Sequence, residues 1–426
     1  MLSIPNLAPN AVRAPTCARR NRSLSSRICP VPWNSTVSCS KKRFFCILPP
    51  QIFSTMNLDP LYRKALAREP LTCDEALNLY TKAPLGELSA VAWTLRKVFH
   101  TDNIVTWQID RNVNITNVCI SGCKFCNFHC KPHQTERAYI TTLDQYIQKI
   151  DETLALGGDQ LLLQGGLHPK LGITFYEDLF RQLTGCYPQI RLHALGAPEV
   201  YHIARISGLD IETTLRRLID AGLDSLPGAG AEILDNDVRR RLSPGKPNAD
   251  QWIEVMRIAH RLGLATSATM MYGHIETPRQ RIEHLIRIRD LQAEKSPDKY
   301  GFLAFIPWIF RSSGTQLEKE GVSPTFSPTE YLRIIAISRI VLNNIPNIQA
   351  SWLTVGKETA QIALHGGAND MGSIMIEEHV VSSAGADNRF DADGIRQAIR
   401  EAGFIPRLRN QLYEFRDESF LETKQH

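Results

Sequence analysis

The sequence predicts an α/β fold in which short apolar strands alternate with amphipathic helices along one barrel-sized domain. Three observations carry that expectation. Strand-like runs follow helical stripes of roughly ten to fifteen residues, the spacing of right-handed βαβ units around a parallel sheet. Nearly every run ends on a glycine-bearing or polar turn, where such folds keep their functional loops. The chain of 426 residues is also long enough to bury a large core. Periodicity of this kind fits a closed (β/α) barrel and an open doubly wound sheet equally well.

In chain order, Thr72 and Glu75 form a capping-box pattern that Ala76, Leu77 and Leu79 continue as a helix. Leu88, Val91, Ala92 and Leu95 fall on one face of a second helix over residues 85–98. Both belong to an N-terminal helical region, residues 56–105, expected to act as a lid or plug on the main domain. A first strand over residues 112–118 runs straight into a cysteine-rich loop. The stripe Leu143, Ile147, Ile150 and Leu154 precedes a strand at 160–164, and a helix at 175–183 precedes one at 190–195. Leu215, Leu218 and Ile219 lead to a strand at 223–226; Trp252, Val255, Met256, Ala259 and Leu262 lead to one at 264–272. Ile282, Leu285, Ile286 and Leu291 come before a strand at 302–306, and a helix opened by Ser327, Pro328 and Glu330 before one at 347–352. Residues 363–373 are a candidate eighth strand. Residues 385–393 read as a loop into a short helix at 392–402, and 416–426 as a tail.

The formal charge of +5 is unevenly spread. Residues 1–55 hold Arg13, Arg19, Arg20, Arg22, Arg27, Lys41, Lys42 and Arg43 but no Asp or Glu, so the remainder is slightly acidic. Nothing in that remainder points to a nucleic-acid or membrane-surface partner, and no stretch approaches the ~18 consecutive apolar residues that span a bilayer. The first segment reads as a targeting peptide, a disordered basic arm, or translated upstream sequence with synthesis starting at Met56; the abrupt change to globular composition there favours the last. Beyond it the cysteines crowd into one loop without a paired framework, which fits a reducing cytosol and a cytoplasmic protein.

That loop carries Cys119-Ile-Ser-Gly-Cys123-Lys-Phe125-Cys126. Soft thiolates this close together favour zinc, copper(I) or an iron–sulfur cluster over hard cations. A four-iron cluster normally takes four cysteines, so a triplet leaves one iron open to a substrate or cofactor. Cys130 could instead complete a four-thiolate structural site, which keeps a structural or electron-transfer metalloprotein in contention beside a metal-free barrel enzyme. The triplet, with aromatic Phe125 before its last cysteine, resembles the signature of the radical S-adenosylmethionine (SAM) superfamily. That resemblance implies a TIM-like barrel, complete or nearly so, over residues 106–415. It also implies a 4Fe-4S cluster held by Cys119, Cys123 and Cys126, SAM chelating the fourth iron, Cys130 as a bystander, and a flavodoxin or ferredoxin as electron donor.

The strand-end loops offer further candidates. Gln164-Gly165-Gly166-Leu-His168 reads as a glycine turn; the superfamily often has Gly-Gly-Glu here to receive the SAM amino group, and this chain has no such Glu. The Gln164 amide oxygen can still accept from an ammonium, without charge assistance. Glu232, after Pro227-Gly-Ala-Gly-Ala, is either an acidic first-turn residue or a carboxylate for ribose hydroxyls. Tyr272-Gly-His274-Ile-Glu276 resembles the motif that contacts adenine, although Thr277 before Pro278 is also a plain helix start. The expected cofactor-binding residues are therefore Phe125, Gln164, Gly165, Gly166, Glu232, Tyr272 and Glu276. His168, His193 and His274 lie at neighbouring strand ends and are expected to converge on one barrel mouth.

Residues 110–119, 163–169, 224–233 and 269–277 look like the group that contains the menaquinone futalosine-pathway enzymes and the deazaflavin FO synthase subunits. Within it, residues 191–195, 242–246, 348–352 and 367–378 look most like the cyclising branch, with the aminofutalosine-forming branch sharing the first set. The resemblance implies a small nucleoside substrate whose ribose C4′ loses a hydrogen to a 5′-deoxyadenosyl radical before ring closure. Such chemistry needs a sealed cavity and a base. Glu232 and His168 are the candidate catalytic residues, and Arg111, His193 and Arg311 the candidate substrate binders.

Overall fold

The computed structural model describes residues 57–324, 326–377, 382–385 and 388–422; the expectations for residues 1–55, and part of the 385–393 loop, fall outside them. Helices Asp59–Leu66, Cys73–Lys82 and Leu85–Phe99 come first. An extended run follows as two consecutive strands, β1 (Ile104–Gln108) and β2 (Asp110–Asn114). Next come β3 (Gln160–Gln164), β4 (Arg191–Ala194), β5 (Ser225–Leu226), β6 (Ala265–Tyr272), β7 (Gly301–Ile309), β8 (Asn347–Ile348), β9 (Asp370–Ser373) and β10 (Ile405–Leu408). From β2 to β8 each strand is parallel to the next in chain order.

Hydrogen bonds then close the ring. Asn369 N donates to Ile348 O at 3.0 Å and Ala350 N to Asp370 O at 2.8 Å, which joins β8 to β9. Ile374 N donates to Gln108 O at 3.0 Å and Ile376 N to Asp110 O at 3.2 Å, which joins the chain after β9 to the β1–β2 run. The fold is the (β/α) barrel that the resemblance implied, with β9 as its eighth strand. Only part of the candidate stretch 363–373 is extended, because its first residues finish the helix Lys357–His365. β10 pairs with the other edge of β1, and the chain after it carries Arg409, Gln411 and Tyr413 to the barrel interior.

A period of two along the strands sorts the side chains. β6 turns Ser267 and Thr269 inward and buries Ala268 and Met270 against the helices. β7 turns Ala304, Ile306 and Trp308 inward and buries Phe305 outward, each such phenylalanine contributing about 1.5–3 kcal/mol. The Thr72 and Glu75 capping box forms as expected, as does the Ser327 cap on Glu330 N.

Several expectations change. The strand expected at 347–352 stops at Ile348, and Trp352–Val355 is a helical turn. β1, β10 and helices Ala197–Ser207 and Asn236–Leu242 lacked a strong enough period to be seen. The N-terminal helices are not a lid: they pack on the outer helices Pro278–Glu294 and Pro328–Val341. There Arg281 Nη1 donates to Tyr80 Oη at 2.7 Å, and Arg333 Nη1 to Ala83 O at 2.7 Å.

Candidate active site

The barrel encloses a cavity of about 380 Å³ with Cys119, Cys123 and Cys126 on its wall. Two loops fix the cysteine loop by close backbone contact. A Cβ at Gly166 would stand 2.2 Å from Val118 O, and one at Gly245 would stand 2.7 Å from Ser121 Cα, so only glycine lets these chains meet. Leu167 N then donates to Cys119 Sγ at 3.2 Å, and Gly245 N to Ser121 O at 2.9 Å. Ser121 Oγ lies 2.9 Å from Cys119 Sγ and 3.2 Å from Cys123 Sγ.

The donor set fits a four-iron cluster: Cys119, Cys123 and Cys126 share one wall of the cavity, and such a cluster spreads its thiolates over separate iron atoms. Burial pushes the Cys123 thiol up to about 12 and raises Cys126 as well, so bound iron would have to displace these protons. Cys130 is fully buried, donates its thiol to Asn117 Oδ1 at 3.4 Å and does not line the cavity.

Beside the cysteines lies a buried ion pair that the sequence did not announce. Lys246 Nζ donates to Glu232 Oε1 at 2.8 Å and lies 5.3 Å from the centre of the Phe125 ring. Burial alone would lower the Lys246 pKa, but the Cys123 sulfur, in its thiolate form, and the Glu232 carboxylate raise it, so the ammonium stays protonated. Glu232 takes a left-handed backbone (φ 42°), strain of the sort that collects at functional sites. Glu199 was also missed. Its carboxyl lines the cavity beneath the glycine turn and accepts from Gly165 N at 2.9 Å and Gly196 N at 2.5 Å. Burial pushes it up to about 7 against those two donors. A Glu three residues past a glycine N-cap, in the first turn of a helix, was the available signal.

Phe125, Gln164, Gly165, Gly166 and Glu232 all line the cavity, and so does His193. Tyr272, Glu276 and His168 do not. Tyr272 points outward beneath Arg281, whose guanidinium lies 5.1 Å from its ring. Burial opposes the Glu276 charge, but His274 and Arg281 hold its carboxyl at about 2, and it caps its own turn through Gly273 N and His274 N. His168 Nδ1 accepts from Lys170 N, while His274 Nε2 is tied to Met271 O. The three histidines therefore do not converge, because the turns after β3 and β6 rotate two of them out of the barrel. Arg111 pairs with Glu152 and Glu377, and Arg311 donates to Thr354 O; neither lines the cavity.

Two sequence families match. The Radical SAM superfamily covers residues 113–288, and the CofH/MqnC C-terminal region covers residues 299–421. The chain is 44% identical over 360 residues to the cyclic dehypoxanthine futalosine synthase of Streptomyces coelicolor, covering 84% of this chain and 88% of that one. It is 40% identical to the enzyme of that name from Halalkalibacterium halodurans, over 84% and 95% of the two chains. A 5-amino-6-(D-ribitylamino)uracil–L-tyrosine 4-hydroxyphenyl transferase of Methanopyrus kandleri is 41% identical over 73% of this chain and 84% of that one. Among solved structures, methylornithine synthase superposes with a TM-score of 0.62 at 20% identity over 85% of this chain and 99% of that one. The FeFe-hydrogenase maturase HydG of Carboxydothermus hydrogenoformans gives 0.61 at 13% identity over 84% and 80%. These two likenesses are of fold.

Proposed function

The chain belongs to the radical SAM superfamily, and from that premise we propose that it acts as a cyclic dehypoxanthine futalosine synthase in menaquinone biosynthesis. The observation that carries this reading is the 44% identity to the Streptomyces coelicolor enzyme along most of both chains. A 4Fe-4S cluster with SAM bound to it would supply a 5′-deoxyadenosyl radical able to take one hydrogen atom. Cys119, Cys123 and Cys126 would hold the cluster. Gln164, Gly165, Gly166 and Glu232, which line the cavity with Lys246 and Glu199, would bind SAM.

What the protein adds is enclosure and fixed polarity. The barrel surrounds the cavity with strands on its sides, which limits the groups and solvent that a carbon radical there would meet. Closing the ring removes two hydrogens from the nucleoside, one as an atom from ribose C4′ and one as a proton together with an electron, which would return to the oxidised cluster. Glu232, of the two expected bases, is the one facing the cavity; Lys246 bonds its Oε1, and its Oε2 has no hydrogen-bond partner among the described residues. Among the described residues no helix is long and apolar enough to cross a membrane. A reducing, cytoplasmic setting with a flavodoxin or ferredoxin as donor fits a cluster that must be reduced by one electron.

The deciding experiment is anaerobic incubation of reconstituted protein with reductant, SAM and dehypoxanthine futalosine. We expect 5′-deoxyadenosine and a nucleoside lighter by two hydrogens. Consumption of an enolpyruvyl benzoate with attachment of the adenosyl carbon assigns the aminofutalosine-forming reaction instead. The Methanopyrus kandleri relative favours a second reading, and turnover of 5-amino-6-(D-ribitylamino)uracil with tyrosine would establish it. Iron and sulfide content tests the ligand set: Cys119→Ala, Cys123→Ala and Cys126→Ala each lose the cluster, and Cys130→Ala keeps it.

A further inference from the structure

Below the cysteines, the cavity wall carries buried polar groups for which the fold provides no partner. Asn112 of β2 pairs in register with Leu162 of β3, and Leu162 with His193 of β4. All three line the cavity. Adjacent strands lie about 4.8 Å apart, so Asn112 and His193 stand roughly 10 Å apart on the wall and lean toward one centre with Leu162 between them.

Asn112 is 5% exposed and His193 6%. The Asn112 side chain makes no hydrogen bond among the described residues; its Oδ1 is wholly covered, which leaves the amide Nδ2 as the group that can reach a ligand in the cavity. His193 Nδ1 bonds Ser225 Oγ at 2.7 Å, which leaves Nε2 without a partner among the described residues. Native proteins leave few buried polar groups unpaired, and each costs about 1–3 kcal/mol. A pair of them on the wall of a cavity marks where a ligand completes the bonds.

The chemistry of that ligand follows from what surrounds them. Arg409, the cation at the base of the cavity, is committed to Asp370 at 2.7 Å and Gln108 at 2.5 Å. Burial, reinforced by Arg409, holds His193 down at about 3, so the imidazole is neutral. A carboxylate or phosphate calls for a free cation. An amide and a neutral imidazole on either side of a leucine instead suit hydroxyl groups around an apolar carbon face, which is the pattern of a pentose.

We propose that Asn112 and His193, flanking Leu162, hold the pentose hydroxyls of the nucleoside substrate. This rests on the cyclase reading and assigns it a sugar subsite. The test is anaerobic equilibrium binding to the SAM-loaded holoenzyme, using dehypoxanthine futalosine and its 2′-deoxy and 3′-deoxy analogues. Asn112→Ala should bind the parent about tenfold more weakly than wild type, yet bind one deoxy analogue as wild type does. His193→Gln should show the same pattern toward the other analogue. The melting temperature of Asn112→Ala should not fall, because no bond within the protein is lost. Variants that bind the parent like wild type, or that lose affinity equally for all three ligands, overturn the subsite. If Asn112→Ala does not fold, a structural role is shown for it and His193→Gln decides alone. Wild type that binds none of the three overturns the cyclase reading itself, and the subsite with it.

Discussion

Glu232 and Lys246 form a pair whose two halves are worth different amounts apart and together. Glu232 is 5% exposed, and among the described residues its other cationic neighbour within reach is Arg239 at 3.6 Å. Replacing Lys246 with Met strands much of that carboxylate's charge and should cost about 3 kcal/mol, read as a lower urea midpoint. The double variant Lys246→Met/Glu232→Gln should recover part of the loss, since the stranded carboxylate is gone while Arg239, which loses its carboxylate neighbour, keeps its bonds to the Pro247, Gly230 and Ala231 carbonyls. Glu199 makes a different prediction. Its folded pKa of about 7 lies above the ~4.3 of an unfolded Glu. Between those values the folded protein holds the extra proton, so stability falls as pH rises from about 4.3 to 7 and flattens above. Glu199→Gln removes that fall. The stability of the variant relative to wild type should rise by about 3–4 kcal/mol across the window, measured by denaturant melts at each pH.

At the scale of elements, the last strands depend on one arginine. Arg409 Nε and Nη2 grip Asp370 at 2.7 and 3.1 Å, and Asp370 also accepts from Thr106 Oγ1 at 2.6 Å. β1, β9 and the chain after β10 meet at this point, so the pair secures the closing strands of the barrel. Arg409→Met leaves Asp370 buried without its cation and should cost about 3–5 kcal/mol. Arg409→Lys should recover little of it, because an ammonium cannot reproduce the two-pronged contact. Helices with capping boxes, such as Cys73–Lys82, were legible because cap and stripe are local. β5 and β8, two residues each, are strands only because neighbours on both sides pair with them.

For the whole molecule, the barrel described here lies within residues 57–422. Protein beginning at Met56 should therefore keep the wild-type melting temperature, cluster content and 5′-deoxyadenosine yield. A drop in any of the three would give residues 1–55 a part in the fold or the reaction. The cavity is walled by β1, β2, β3, β4, β6, β7 and β9 together with residues after β2, β3, β4, β5, β8, β9 and β10. Its enclosure is thus a property of the closed ring and cannot be assigned to any single element.

The sequence by itself determined the cysteine ligands, the glycine turn that meets them, the alternation of strand and helix, and the kinship those motifs carry. Each is a pattern within a few residues, readable from spacing and side-chain chemistry. Only the tertiary structure decided that Lys246, Glu199 and Asn112 face the cavity while Tyr272, Glu276 and His168 turn away from it. Which way a side chain points at a strand end depends on register, turn geometry and ring closure. Those are set by contacts between residues far apart in the chain, such as Gly245 with Ser121 and Arg409 with Asp370.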